Sequence, residues 1–338
     1  MRAPTTALLL LPALLLSSAP HAQIQTQTQT LHPLERLPTE QFAVTPPSAR
    51  VTGEPGNMRI IERGCPALPT ADLRQRIVDI AVQEWAYFGR SVDQQLASAA
   101  EFSRMRSRFA RMGAAESARV ASSIAGYWAA TPDSDWIVRQ QNSRWQAEGI
   151  GTRWRDAWSA AFISWVMCES GLSNGQFRRA IAHHTYIDQA IRALDDDDPD
   201  SLFVARTPGT ARVSPGDLLC RGSRPAYRSI AERRNQMGVG ARTHCDIVVK
   251  VDTEQQQIQV IGGNVRGWVR MKVLHAQPGN SGFLYAPADN GRALFAHLQL
   301  NLPPAADDAF DVSPTMVALR CDADSDPLPV ALETTASC

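Results

Sequence analysis

Several shortages narrow the class of this chain before any motif is considered. Neither sign of charge is in excess: 34 Lys and Arg stand against 34 Asp and Glu, a formal net charge of zero. Nucleic-acid binders normally carry a basic face and polybasic membrane anchors need clustered Lys and Arg, so neither partner is expected. Long apolar runs are missing apart from Leu8–Leu16 (LLLLPALLL), which falls short of the roughly 20 residues a membrane-spanning helix needs. Close cysteine pairs are missing too. Cys65, Cys168, Cys220, Cys245, Cys321 and Cys338 contain no CxxC, which argues against a thiolate zinc site. His183 and His184 are adjacent and diverge on a helix, with no HxxxH or HxxE spacing to suggest a metal. No metal or cofactor is therefore expected. Internal repeats are absent, and the composition excludes collagen, coiled coil and membrane channel.

The 338 residues are 44% hydrophobic and 20% charged, enough apolar material for a sizeable core. Residues 1–22 read as a secretory signal peptide: Arg2, then the short apolar run, then small residues up to Ala22. The mature protein is expected to be periplasmic or secreted and not an integral membrane protein. In an oxidising compartment, six cysteines suggest disulfides, with 15 possible pairings. Residues 23–69 carry QTQTQT and seven prolines and read as a spacer-like leader. A domain is expected over 70–300, followed by a Pro- and Asp-rich tail over 301–338.

Within the domain, helical periodicity comes first. Leu73, Ile77, Ile80 and Phe88 mark a helix over 70–89 that Gly89 can end. Further helices are expected over 95–113, 116–130, 133–149, 156–170 and 177–194. In 156–170, Trp158, Ala161, Phe162, Trp165 and Val166 form a wide buried stripe. The run Asp195–Asp198 reads as a solvated turn. After residue 210 the period changes. Strands are expected at 217–220, 244–251, 257–262, 267–274 and 282–287, giving an α+β fold. If the first two pair, Cys220 and Cys245 come within bridging distance.

Three local patterns carry chemical interest. They are Trp158-Ser159-Ala160-Ala161-Phe162-Ile163-Ser164-Trp165 at a helix start, Pro215-Gly216-Asp217 followed by His244-Cys245-Asp246-Ile247-Val248-Val249, and Gly262-Gly263-Asn264. Their order resembles the CHAP amidases and NlpC-type relatives, and resembles more closely still an uncharacterised bacterial domain family with the same layout. The resemblance implies a papain-like fold, with N-terminal helices packed on an antiparallel sheet. It implies a cysteine nucleophile at the helix start, a strand histidine as base, and a polar residue on the next strand to orient it. Ser159 occupies the cysteine position. A serine hydroxyl does not ionise near neutral pH and needs a base as it attacks. Carried over residue by residue, the resemblance makes Ser159 the nucleophile, His244 the base, and Asn264 or Asp246 the orienting group. Asp246 shares a strand face with His244; one reading has it raise the His244 pKa, the other makes it a solvated surface acid. The implied function is a cell-wall hydrolase, an amidase or peptidase acting on peptidoglycan or another envelope polymer. The alternative is a catalytically degenerate envelope glycan- or peptide-binding module. For His183, His184 and Tyr186, packing or exposure is the favoured reading, with one of them lining the cleft as the other.

Overall fold

The computed structural model describes residues 35–94, 111–196 and 198–321. The helices are α1 (Leu73–Tyr87), α2 (Ala114–Arg119), α3 (Ala121–Ala129), α4 (Asp135–Glu148), α5 (Ser159–Glu169), α6 (His183–Leu194), α7 (Ile230–Arg234) and α8 (Pro314–Cys321). The strands are β1 (Val51–Thr52), β2 (Arg59–Ile60), β3 (Val92–Gln94), β4 (Phe203–Arg206), β5 (Leu218–Arg224), β6 (Arg242–Asp252), β7 (Gln257–Val265), β8 (Trp268–His275), β9 (Gln277–Pro278), β10 (Leu284–Tyr285), β11 (Ala288–Asp289) and β12 (Arg292–Leu300). The main sheet runs β11-β12-β5-β6-β7-β8-β3, with β4 also on β12. Its ladders are antiparallel except β3 with β8. The fold is thus α+β with an antiparallel-rich sheet.

Alternation along the strands sorts the apolar residues into two clusters. Cys245, Ile247, Val249, Ile261 and Met271 join the helices in the larger one. Leu219, Val248, Ile258, Val260 and Leu274 form a smaller cluster on the other face. Helix α5 is buried along its whole length, so its apolar positions extend beyond one stripe. It packs on β6 and β7, and Gly171 ends it at φ +95°.

Two disulfides join segments among the described residues. Cys220–Cys245 crosses β5 and β6, where the two residues are register partners. Cys65–Cys168 ties the N-terminal segment to α5 across 103 residues. A loop of that size is worth roughly 4.7 kcal/mol in the chain-entropy picture. Buried disulfides fit an extracytoplasmic protein. Among the described residues, no helix is long and apolar enough to cross a membrane.

Several elements differ from the sequence expectation. The described part of the leader, residues 35–69, is no free spacer. Arg36 pairs with Glu84 and lies 3.6 Å over the Tyr87 ring, Leu37 N–H donates to Gln83, and Cys65 is bridged. The described part of the tail, residues 301–321, also packs. Val251 N–H donates to the Asp307 carbonyl and Phe310 N–H to the Val249 carbonyl, and Phe310 meets Trp85 at 5.6 Å. The helix expected over 177–194 starts only at His183. The strand β12 was not anticipated, and 282–287 yields only the two-residue β10. Of the helix expected over 95–113, residues 95–110 lie outside the described residues.

Candidate functional site

Helix α5 starts at Ser159 without a side-chain cap; Asp156 does not serve as one. The preceding Trp158 is wedged between Phe88 and Tyr127, at ring distances of 5.8 and 5.7 Å, which fixes where the helix begins. One turn on, the Ser164 hydroxyl bonds both the N–H and the carbonyl of Ala180, at 3.0 and 3.1 Å. That clamp lays residues 178–182 along α5 and delivers the first residue of α6, His183, over Ser159. Ser159 Oγ and His183 Nε2 are 2.7 Å apart.

The other ring nitrogen of His183 decides the direction of that bond. Cys245 N–H donates to Nδ1 at 3.3 Å. This N–H is available because Cys245 faces β5 through its register pair, while the ladder to β7 starts only at Ile247. The buried Tyr186 hydroxyl also contacts Nδ1 and has no other partner among the described residues. A backbone N–H can only donate, so Nδ1 is an acceptor and the proton sits on Nε2. His183 therefore donates to Ser159 Oγ. Burial, then the neighbouring His244, pushes the His183 pKa well below the ordinary histidine value and keeps the ring neutral.

His244 lies beside this pair, its ring centroid 5.2 Å from that of His183. Its Nε2 donates to Asp246 Oδ1 at 2.9 Å, which leaves the lone pair of the neutral ring on Nδ1. Asp246 in turn bonds Lys272 at 2.6 Å. Lys272 bonds Asp289 at 2.7 Å, and Asp289 bonds Arg221 at 2.7 Å. Burial works against the charge on Asp246, but His244 and Lys272 hold its carboxyl far below the usual carboxylate range. Burial likewise works against Lys272, and Asp246 and Asp289 keep it charged. The rise in the His244 pKa that one reading gave to Asp246 does not occur. Burial outweighs the attraction of Asp246 and lowers it.

Two glycines make this packing possible. A Cβ on Gly262 would stand 1.8 Å from Asp246 Oδ1 and 3.2 Å from His244 Nε2. One on Gly263 would stand 2.6 Å from the Phe162 Cβ of α5. The two glycines thus look to opposite sides of β7. His244 and Asp246 lie on the side of Gly262, and α5 lies on the other. The face of β6 that carries both residues is therefore not the one packed on α5, and His244 reaches the Ser159 side only through its ring contact with His183.

The structure brings Ser159, His183, Tyr186, His244, Asp246 and Lys272 into one continuous polar cluster. Asn264 is not part of it. It adopts φ +57°, which asparagine tolerates, and lines a separate cavity with Trp158 and Arg266. The His244 nitrogen it was expected to hold is taken by Asp246. Among the described residues, no hydrogen bond joins Ser159 to His244. Sequence reasoning gave no role to Lys272, Arg221 and Asp289. The available signal was Lys272 set between the apolar Met271 and Val273 of β8. Among the described residues, no cluster of three or more His, Cys, Asp or Glu is arranged to hold a metal.

Comparison with known proteins gives one match. The family model described as uncharacterized protein conserved in bacteria (DUF2272) matches residues 116–295, which include every residue of this cluster. No curated protein and no solved structure matches the chain.

Proposed function

Taking as premise that the chain belongs to the DUF2272 family of uncharacterized bacterial proteins, we propose that Ser159 is the nucleophile of an acyl-transfer hydrolase acting on an amide or peptide bond. The observation that carries the reading is the hydroxyl at the α5 N-terminus, 2.7 Å from one buried imidazole and beside a second whose free nitrogen is an acceptor. In the proposed reaction Ser159 Oγ attacks the carbonyl carbon as its proton passes to His244 Nδ1. The tetrahedral intermediate collapses, the C–N bond breaks, and His244 returns that proton to the leaving amine. Water then cleaves the resulting ester, again with His244 as proton acceptor. Asp246 orients His244 and balances its transient positive charge. His183 Nε2–H stays on the serine oxygen and stabilises negative charge there as the proton leaves.

The substrate class is the peptide or amide part of peptidoglycan, and the compartment is the periplasm or the exterior. The disulfides support the compartment. The substrate rests on the resemblance to CHAP and NlpC-type amidases. The test is release of new amino groups from purified cell wall by the mature chain. Release that disappears in Ser159→Ala and in His244→Gln, with folding intact, supports the proposal. Unchanged release in Ser159→Ala removes the serine from the mechanism.

A second reading has one observation in its favour. At rest, Ser159 receives a hydrogen bond from His183 and makes none to His244. Such a site suits a module that binds an envelope polymer without cleaving it. Cell-wall pull-down with no release of amino groups or reducing ends supports that reading.

A further inference from the structure

Trp158, the residue before Ser159, lines a cavity of about 540 Å³ that no member of the polar cluster lines, within the roughly 300–1,000 Å³ usual for small-molecule sites. Among the described residues, five arginines line it, Arg111, Arg144, Arg153, Arg155 and Arg266, and no Asp or Glu does. In a chain whose charges balance overall, that is a strong local excess. Arg144 shares its charge with Glu148 at 3.0 Å. Among the described residues, no ion pair joins Arg153 or Arg155 to a carboxylate. Guanidinium groups gathered around one concavity repel one another, and a multivalent anion relieves that repulsion while accepting paired N–H bonds.

A second observation points the same way. Ser117, which is 4% exposed, lines the cavity, and its hydroxyl has no hydrogen-bond partner among the described residues. The buried indole N–H of Trp154, in the same wall, also has none among them. Unpaired buried polar atoms cost free energy unless a ligand or water satisfies them. Here one can donate or accept and the other can only donate, which suits an oxygen-rich ligand. Trp154 and Trp158 add apolar wall beside the charges.

We propose that this cavity binds a ligand carrying two or more oxyanion groups, carboxylate or phosphate. Its place next to Trp158, one residue before Ser159, puts a bound anion alongside the start of α5. The proposal stands whether or not Ser159 turns over a substrate.

The test is calorimetric titration of the mature chain at low salt with two probes, tripolyphosphate and tricarballylate. Saturable one-site binding of either is the expected result. Binding of one alone identifies the group as phosphate or carboxylate; binding of both means the site reads charge. The double variant Arg153→Gln/Arg155→Gln replaces two exposed side chains and should weaken binding about tenfold or more. Ser117→Ala should weaken it about threefold or more. The control Arg228→Gln/Arg292→Gln, on exposed arginines outside the cavity, should change it less than about twofold. No saturation by either probe, or equal weakening in the control, overturns the proposal.

Discussion

Replacing Gly262 with alanine tests the tightest contact in the polar cluster. The backbone does not forbid a side chain there, because φ at Gly262 is not in the left-handed region. In open space, Gly→Ala at such a position stabilises by about 0.4–1 kcal/mol through the unfolded chain. Here the new methyl would lie 1.8 Å from Asp246 Oδ1. Reaching an ordinary contact of about 3.5 Å requires a shift of about 1.7 Å. That oxygen holds the 2.9 Å bond to His244, and the other oxygen of the same carboxylate holds Lys272 at 2.6 Å. A bond stretched so far no longer counts as one. Losing one charge-assisted bond costs about 1.5–3 kcal/mol, and disturbing both roughly doubles that. The expected loss for Gly262→Ala is therefore about 2–5 kcal/mol. Urea unfolding of the wild type, both single variants and the Gly262→Ala/Asp246→Ala double variant closes the cycle. In the Asp246→Ala background the collision is gone, so adding Ala at 262 should become neutral or mildly stabilising. A cost that stays the same in both backgrounds would refute the steric account of Gly262.

Two further outcomes follow from buried titratable groups. Burial raises the Asp79 carboxyl from 3.8 to about 6 despite its bond from Gln75. The folded state thus holds this proton more tightly than the unfolded chain, and the associated stability is lost as pH rises from about 4 through 6. That loss amounts to about 3 kcal/mol at neutral pH, so Asp79→Asn should stabilise by up to that amount at pH 7.5 and by little at pH 4, read by urea unfolding at both. His183 and His244 are both depressed, so the unfolded chain gains protons near pH 6.5 that the fold refuses, and stability should fall as pH drops below about 6.5. A fall in thermal midpoint between about pH 7 and 5.5 that persists unchanged in a His183→Gln/His244→Gln variant would contradict this assignment.

The parts of the fold that could be read from the sequence share a physical feature. Where periodicity and a stop signal coincide, as in α1, the apolar stripe and the terminal glycine fix both type and end. Where burial is complete, periodicity carries less information. Strand β12 reads RALFAHLQL, with Phe295 and His297 buried alongside Leu294, Ala296 and Leu298. A strand covered on both sides loses its alternation. His297 tolerates this place because it donates to the buried Asp217 at 2.8 Å. The ordering of residues 35–69 and 301–321 was hidden for a different reason. Single long-range ties, Arg36 to Glu84, Cys65 to Cys168 and Phe310 to Val249, hold segments whose composition alone predicts looseness. In the site, Ser159, His244 and Asp246 were legible as residue types in a pattern. That His183 is the direct partner of Ser159 was not, because it depends on the Ser164–Ala180 clamp and on a strand N–H left free where β6 and β7 part.

The charges around His244 explain how a neutral imidazole can be held in a buried place and still accept a proton. Arg221, Asp289, Lys272 and Asp246 alternate in sign, and their formal charges cancel, so His244 at rest needs no charge of its own. Asp246 stays ionised because Lys272 supports it from the side opposite His244. A proton arriving on Nδ1 would therefore meet an anion already fixed at Nε2, with no reorganisation of the carboxylate. His183 cannot take that role at rest, since two donors occupy its Nδ1 and its own proton points at Ser159. The two imidazoles are chemically unequal although they lie side by side. One is tied as a donor to the serine oxygen, and the other holds an open acceptor backed by a carboxylate. Exchanging the tautomers would require breaking the Cys245 N–H and Tyr186 bonds on one ring and the Asp246 bond on the other, so the division of roles is built into the backbone of β6.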